Sequence, residues 1–192
     1  MPGTDFPLLR EAPSLFGDLV NLTPLTTDLV SARYVDWMND YEIVKFTESR
    51  YARQTQQSIT DFIQAAEAET STVAWAILAG EVHIGNIKLG PVDWHHNIAD
   101  VGLIIGSKAH WGLGYGTQSI KLVVEWAFRN LQLHKITAGF YDENQGSVRA
   151  FEKAGFVHEA RQSAHYLFEG RYIDRLNMAT FNPSSPNHLT ES

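Results

Sequence analysis

Cysteine is missing from the chain altogether, which excludes disulfides, thiolate zinc centres and cysteine nucleophiles together. Any chemistry must rest on oxygen and nitrogen groups or on a bound cosubstrate. Positive charge is also short, with 15 Lys and Arg against 22 Asp and Glu and a net charge of −7 with His neutral. That balance argues against a bulk polyanion, so no nucleic-acid partner is expected. No apolar run approaches the roughly 18 to 20 residues of a membrane span. The opening MPGTDFPLLREAPSLFGD lacks the basic-then-apolar order of a signal peptide. No membrane partner and a cytoplasmic location are therefore expected. Internal repeats, low-complexity tracts and Gly/Ser/Pro linkers are absent as well.

What is present is the composition of a packed domain: 192 residues, 44% hydrophobic and 19% charged, enough to bury a sizeable core. Residues 1–16 contain three prolines and no periodic pattern, and residues 182–192 are polar and proline-broken. Both read as loose segments around one domain over residues 17–181. Alternation predicts a strand over Leu19 to Leu25. A helix follows from the cap oxygens of Thr26, Thr27 and Asp28, and is interrupted at Asn39 and Asp40. Ser58 to Glu69 reads as a second amphipathic helix, with Ile59, Phe62, Ile63 and Ala66 on one face.

Thr72 to Ala79 and Val82 to Leu89 form a hairpin around Gly80 and Glu81, a loop spans Pro91 to Asn97, and Ile98 to Ile105 is a further strand. A long helix opens at Gly112 to Gly116 and ends near Asn130. Lys135 to Phe140 is a short strand, Gln145 to Lys153 a helix stopped by Gly155, and Phe156 to Leu167 and Arg171 to Thr180 a closing hairpin. This order implies an α/β fold, layered as α+β, with a central mixed sheet and helices on both faces. Tyr34, Trp37, Trp75, Trp126 and Phe128 read as core. Asp93-Trp94-His95-His96 is not expected to hold a metal, since adjacent His side chains diverge in a strand and no third ligand is suitably spaced.

The segment His110-Trp111-Gly112-Leu113-Gly114-Tyr115-Gly116-Thr117 lies between an apolar strand and an amphipathic helix. Its alternating glycines let backbone amides approach an anion, and the helix that follows aims its free N–H groups and positive dipole end at the same place. A plain strand-to-helix turn is the other reading. It is not a P-loop, having no Lys-Ser or Lys-Thr, and no acidic residue closes a following strand as a Rossmann fingerprint requires.

Trp111-Gly112-Leu113-Gly114-Tyr115-Gly116 resembles the acyl-CoA pyrophosphate loop of the GCN5-related N-acetyltransferases (GNAT), Q/R-x-x-G-x-G/A, with Trp111 where Gln or Arg is usual. About 30 residues on, Asn144-x-x-Ser147-x-x-x-Phe151-x-x-x-Gly155-Phe156 is similar to the family's second motif, N-x-x-S/A-x-x-x-Y/F-x-x-x-G-F. The likeness is greatest to RimJ/RimL-like members, through Ala99-Asp100-Val101-Gly102 and the hairpin Ala164 to Asp174.

The resemblance implies a GNAT fold with a mostly antiparallel sheet of about seven strands, acetyl-CoA as cosubstrate, and direct acetyl transfer to a primary amine. It implies cofactor contacts at Leu103, Ile104 and Ile105 through their backbone, at Trp111, Gly112, Leu113, Gly114, Tyr115, Gly116 and Thr117, and at Asn144, Ser147 and Phe151. Lys153 could add a phosphate contact. Many members use Tyr as general acid where this chain has Phe151, which carries no proton to donate. Ser147, one helical turn earlier, is then either the acid or a helix-start residue satisfying backbone groups. For the base, His165 occupies the place of a family Glu, Asp100 matches a carboxylate common to the branch, and a water chain would relieve both. Glu169, Tyr172 and Asp174 are candidates for the acceptor pocket. The acceptor stays open among a protein N-terminus, an amino-sugar nucleotide and a polyamine, and a homodimer is plausible by likeness. The rival readings are a non-catalytic acyl-CoA sensor and a nucleotide-binding module.

Overall fold

The computed structural model describes residue 9 and residues 12–185. Eight strands form one sheet: β1 (Leu15–Phe16), β2 (Asn21–Pro24), β3 (Val73–Ala79), β4 (Val82–Asp93), β5 (Ile98–Ile105), β6 (Lys135–Tyr141), β7 (Val157–Phe168) and β8 (Arg171–Phe181). Their order is β1-β2-β3-β4-β5-β6-β8-β7, and only the β5–β6 pair is parallel. The helices are α1 (Ala32–Asn39), α2 (Tyr41–Val44), α3 (Gln56–Ala68), α4 (Tyr115–Asn130) and α5 (Gln145–Lys153).

The helix starts follow from local chemistry. Ser31 caps α1 by accepting from the Tyr34 amide, and Thr55 and Ser58 form a reciprocal capping box on α3. The spacing of Ile120, Val123, Val124 and Ala127 on α4 buries one stripe against β4, β5 and β6, together with Phe151 and Val148 of α5. On the opposite face, Tyr34 and Trp37 of α1 and Ile59 and Ile63 of α3 pack against Ala76 of β3. Helices therefore cover both faces, as the element order implies. Trp75 and Trp126 meet edge to face at 5.3 Å in the larger core.

Several boundaries differ from the expectations. The segment after Thr26 is a 3-10 turn (Thr27–Leu29), and α1 starts only after the better cap, Ser31. β4 does not end at Leu89: it passes through Gly90 and Pro91 with a register shift, and Val92, which is buried, pairs with Ala99. The loop thus begins at Trp94. Within the segment expected to be loose, Leu15 and Phe16 pair with Leu22 and Asn21, Leu9 is buried, and the Pro13 carbonyl accepts from Trp75 Nε1 at 2.9 Å. Apolar residues between the prolines supply that packing. Residues 186–192 of the expected tail lie outside the described residues.

Candidate active site

The site is created by a pairing that stops. β5 runs beside β6 only through Ile98↔Lys135, Ala99↔Ile136 and Asp100↔Thr137, whereas β6 continues to Tyr141 paired with β8 alone. From Val101 to Ile105, β5 pairs only with β4, so one backbone edge of Leu103, Ile104 and Ile105 faces a wedge-shaped opening. Unpaired N–H and C=O groups at such an edge require a partner, and an extended amide-bearing ligand supplies one. Leu103 and Ile105 point their side chains to the α4 core, and Ile104 lies on the other face.

At the end of β5 the chain turns through Lys108–His110 into the glycine loop. Gly112 has φ +74° and Gly114 φ +91°, conformations that side chains with a Cβ rarely adopt. Gly114 stands at the N-cap of α4 with no side-chain cap, and the first helical bond runs from the Gln118 amide to its carbonyl. Among the described residues none of the amides of Gly112, Leu113, Gly114, Tyr115, Gly116 and Thr117 has a hydrogen-bond partner. That set of free N–H groups at a helix start fits a pyrophosphate without any basic side chain.

The loop is braced from several sides. Trp111 Nε1 donates to the Ile105 carbonyl at 2.7 Å, so the indole at the loop's first position locks it to the end of β5. Gln118 Oε1 accepts from the Leu19 and Val20 amides at 2.7 and 2.8 Å. Thr117 Oγ1 donates to the Ala150 carbonyl of α5 at 3.3 Å, and Lys108 pairs with Asp40 at 2.6 Å.

The second motif is placed beside this start. Asn144 caps α5, its Oδ1 accepting from the Ser147 amide at 3.4 Å. Ser147 is half-buried, and its hydroxyl has no hydrogen-bond partner among the described residues. Phe151 is 1% exposed, held edge to face by Phe140 and Phe156, so its side chain is core and presents little surface to a ligand. Lys153 is exposed in the last turn of α5.

Asp100 sits where the strands part. Thr137 Oγ1 donates to its Oδ1 at 3.1 Å across the last β5–β6 rung. The side chain is open to solvent at the mouth yet crowded by the cleft walls. That desolvation pushes its carboxyl above the usual carboxylate range, against the Thr137 bond and the cations Lys88 and Arg175. His165 is exposed on β7, the outermost strand, where its ring meets Tyr166 at 4.8 Å. The structure thus brings Asp100 to the opening, and Ser147 to the helix start that Thr117 ties to α4. It leaves His165 at the sheet edge.

Sequence reasoning misses most of the remaining cleft wall. Tyr141 and Tyr166 stack at 3.9 Å, and Phe46 and Phe168 close over them. The Arg50 guanidinium lies 4.9 Å from the Tyr141 ring and 5.4 Å from that of Phe168, and Tyr141 OH donates to Glu48 at 3.3 Å. Tyr166 and Phe168 lie in the hairpin Ala164 to Asp174, whereas Phe46, Glu48, Arg50 and Tyr141 come from segments with no motif. Of the hairpin candidates, Glu169 accepts from Tyr41 OH at 2.7 Å, Asp174 binds Arg161 and the Ala164 amide, and Tyr172 is exposed. Asp93 organises the β4–β5 turn, accepting from the His95 and His96 amides and from the His96 ring.

Residues 20–157 match the family model described as an acetyltransferase (GNAT) domain. A Bacillus subtilis protein named as a probable N-acetyltransferase, YjcK, is 29% identical over 154 residues, spanning 77% of this chain and 82% of its own. A spermidine N(1)-acetyltransferase of Vibrio cholerae is 32% identical over 91 residues, 47% of this chain and 52% of that protein. The same fold is seen in the structure of spermidine N-acetyltransferase from Vibrio cholerae in complex with CoA and spermine. Its TM-score is 0.77 at 21% identity, covering 86% of this chain and 97% of that one. With the parted strands and the amide cradle, these matches make the chain an N-acetyltransferase that belongs to the acetyltransferase (GNAT) domain family.

Proposed function

We propose that the protein transfers acetyl from acetyl-CoA directly to a primary amine within a ternary complex, as a RimJ/RimL-like member of its family. The observation that carries this reading is the early end of the β5–β6 pairing beside the uncapped start of α4. The α4 cradle holds the pyrophosphate, and the open edge of Leu103 to Ile105 receives the amide-bearing arm and the thioester carbonyl. An N–H aimed at that carbonyl oxygen stabilises the negative charge that develops there during transfer.

The amine nitrogen forms its bond to the acyl carbon as the carbon–sulfur bond breaks. Asp100 takes the proton released from the nitrogen, directly or through water, and Ser147 supplies a proton to the departing thiolate. Asp100 is chosen over His165 because it lies at the opening and because desolvation by the cleft walls makes its carboxylate a stronger base than a fully hydrated one. Thr137 holds its orientation. Homodimerisation, implied by the resemblance, and a cytoplasmic location complete the proposal and are read by light scattering and fractionation.

The test is thiol release from acetyl-CoA with a panel of peptides, amino-sugar nucleotides, amino acids and polyamines. Amine-dependent release supports transfer. CoA binding without release across the panel favours the second reading, an acyl-CoA sensor, which the buried, proton-less Phe151 specifically suggests.

A further inference from the structure

The face of the sheet that carries Asp100 also carries two cations without ion-pair partners among the described residues. Lys88 stands directly opposite Gly102, two residues beyond Asp100, and Arg175 stands opposite Tyr141, four residues beyond Thr137. By strand alternation all of these side chains share one face. Both cations act electrostatically on Asp100, yet neither forms an ion pair among the described residues.

Arg175 is the more telling. Its guanidinium lies flat over Gly139: a Cβ there would come within 2.8 Å of Nη2, 3.0 Å of Nε and 3.2 Å of Cζ. Its Nε is buried with no hydrogen-bond partner among the described residues. Buried donors are ordinarily paired, and a guanidinium held here without an acceptor among the described residues leaves its outer N–H groups for one that a ligand brings. A planar fork of N–H groups matches a carboxylate, which it can bind through two parallel bonds. Asp100 lies within the field of this fork without touching it, so a negative group and a basic nitrogen a few ångströms apart would meet complementary partners. A polycation would instead meet the positive charges of Lys88 and Arg175 on either side of Asp100.

We propose that the acceptor is a small amino acid, its carboxylate bound by Arg175 and its amine presented to Asp100. This rests on the acetyltransferase reading and narrows it to carboxylate-bearing amines. The whole-chain charge of −7 does not decide the matter, because the charges that act on Asp100 itself, Lys88 and Arg175, are both positive.

The experiment measures thiol release at saturating acetyl-CoA with amino acids, their α-amides, and the decarboxylated diamines and polyamines. Wild type, Arg175→Met and Gly139→Ala are compared. The wild type should prefer an amino acid over its amide by about 100-fold in kcat/KM, the scale of a doubly bonded charged pair. Arg175→Met should erase that preference through KM for the acceptor, with KM for acetyl-CoA unchanged. Gly139→Ala, which displaces the guanidinium without removing its charge, should weaken it in the same direction. Polyamines or amides used as well as amino acids, or a preference that survives Arg175→Met, would overturn the inference. No release with any amine would instead count against the acetyltransferase reading. Calorimetry of amino acid against amide on CoA-loaded protein then still decides the carboxylate site, and equal binding in wild type and Arg175→Met refutes it.

Discussion

Gly114→Val tests the loop most directly, because the residue joins backbone strain to ligand contact. Its φ of +91° is open to glycine, while a β-branched side chain there is a genuine outlier. Space is not the obstacle, since the nearest atom to a Cβ added at this position is Leu19 Cδ1 at 3.5 Å. Holding valine in that conformation costs about 1–3 kcal/mol. The chain can relieve it only by turning φ negative, which re-aims the N–H groups on both sides of residue 114. A hydrogen bond to a charged group contributes about 1.5–3 kcal/mol. Losing two therefore removes about 3–6 kcal/mol and raises the Kd for CoA by roughly 10²- to 10⁴-fold. Isothermal titration with CoA reads this, with thermal unfolding alongside to confirm that the variant folds. Gly146→Ala is the control, because nothing lies within 4 Å of its added Cβ and its φ is not positive. A folded Gly114→Val protein with wild-type CoA affinity would refute the amide cradle.

Asp100→Asn should lower kcat/KM by roughly 10²- to 10⁴-fold, the usual range for a lost general base. It should also raise the melting temperature at neutral pH. The folded-state pKa of Asp100 is raised, so stability from this group is present below its unfolded pKa and lost as pH rises through the folded one; removing the ionisation removes that loss. The wild-type rate should fall as pH drops through the raised pKa of Asp100, and His165→Ala should leave that acid limb in place; its disappearance in His165→Ala would transfer the role to the imidazole. Trp111→Phe deletes the 2.7 Å bond to the Ile105 carbonyl and should weaken CoA binding about fivefold, an amount matching about 1 kcal/mol, with unchanged titration curves counting against a bracing role. Gln118→Leu removes the acceptor of two backbone amides and should destabilise the fold by about 2 kcal/mol. Thermal unfolding should move down by roughly 4–8 °C, and an unchanged midpoint would rule out that anchor.

The loop and the core were legible because their signals are local. Alternate glycines announce positive φ wherever a helix must start uncapped, and the 3–4 spacing of Ile120, Val123, Val124 and Ala127 reports burial from sequence alone. β4 misleads because Gly90 and Pro91 look like a loop, although Val92 resumes the ladder beyond them. Phe151 misleads differently: its place in a motif suggests contact with ligand, while Phe140 and Phe156 take it into the core.

The acceptor side was not legible, and the reason lies in topology. β8 enters between β6 and β7, so Arg175 neighbours Tyr141 while His165, ten residues earlier in the chain, is carried to the sheet edge. Nothing in hydrophobic alternation encodes that order. The register of β7 also shifts between Gln162 and Tyr166, where four steps along β7 span two along β8, with Ala164 at φ +52°, so two extra residues bulge out while Gln162 and Tyr166 stay on one face. Tyr166 meets Tyr141 on that face, while His165 lies within the bulge, so a motif-based alignment that lands on His165 names the neighbour of the residue that reaches the cleft. Asp100 escapes this ambiguity because it stands on the last shared rung of β5 and β6, the one position that the opening itself defines.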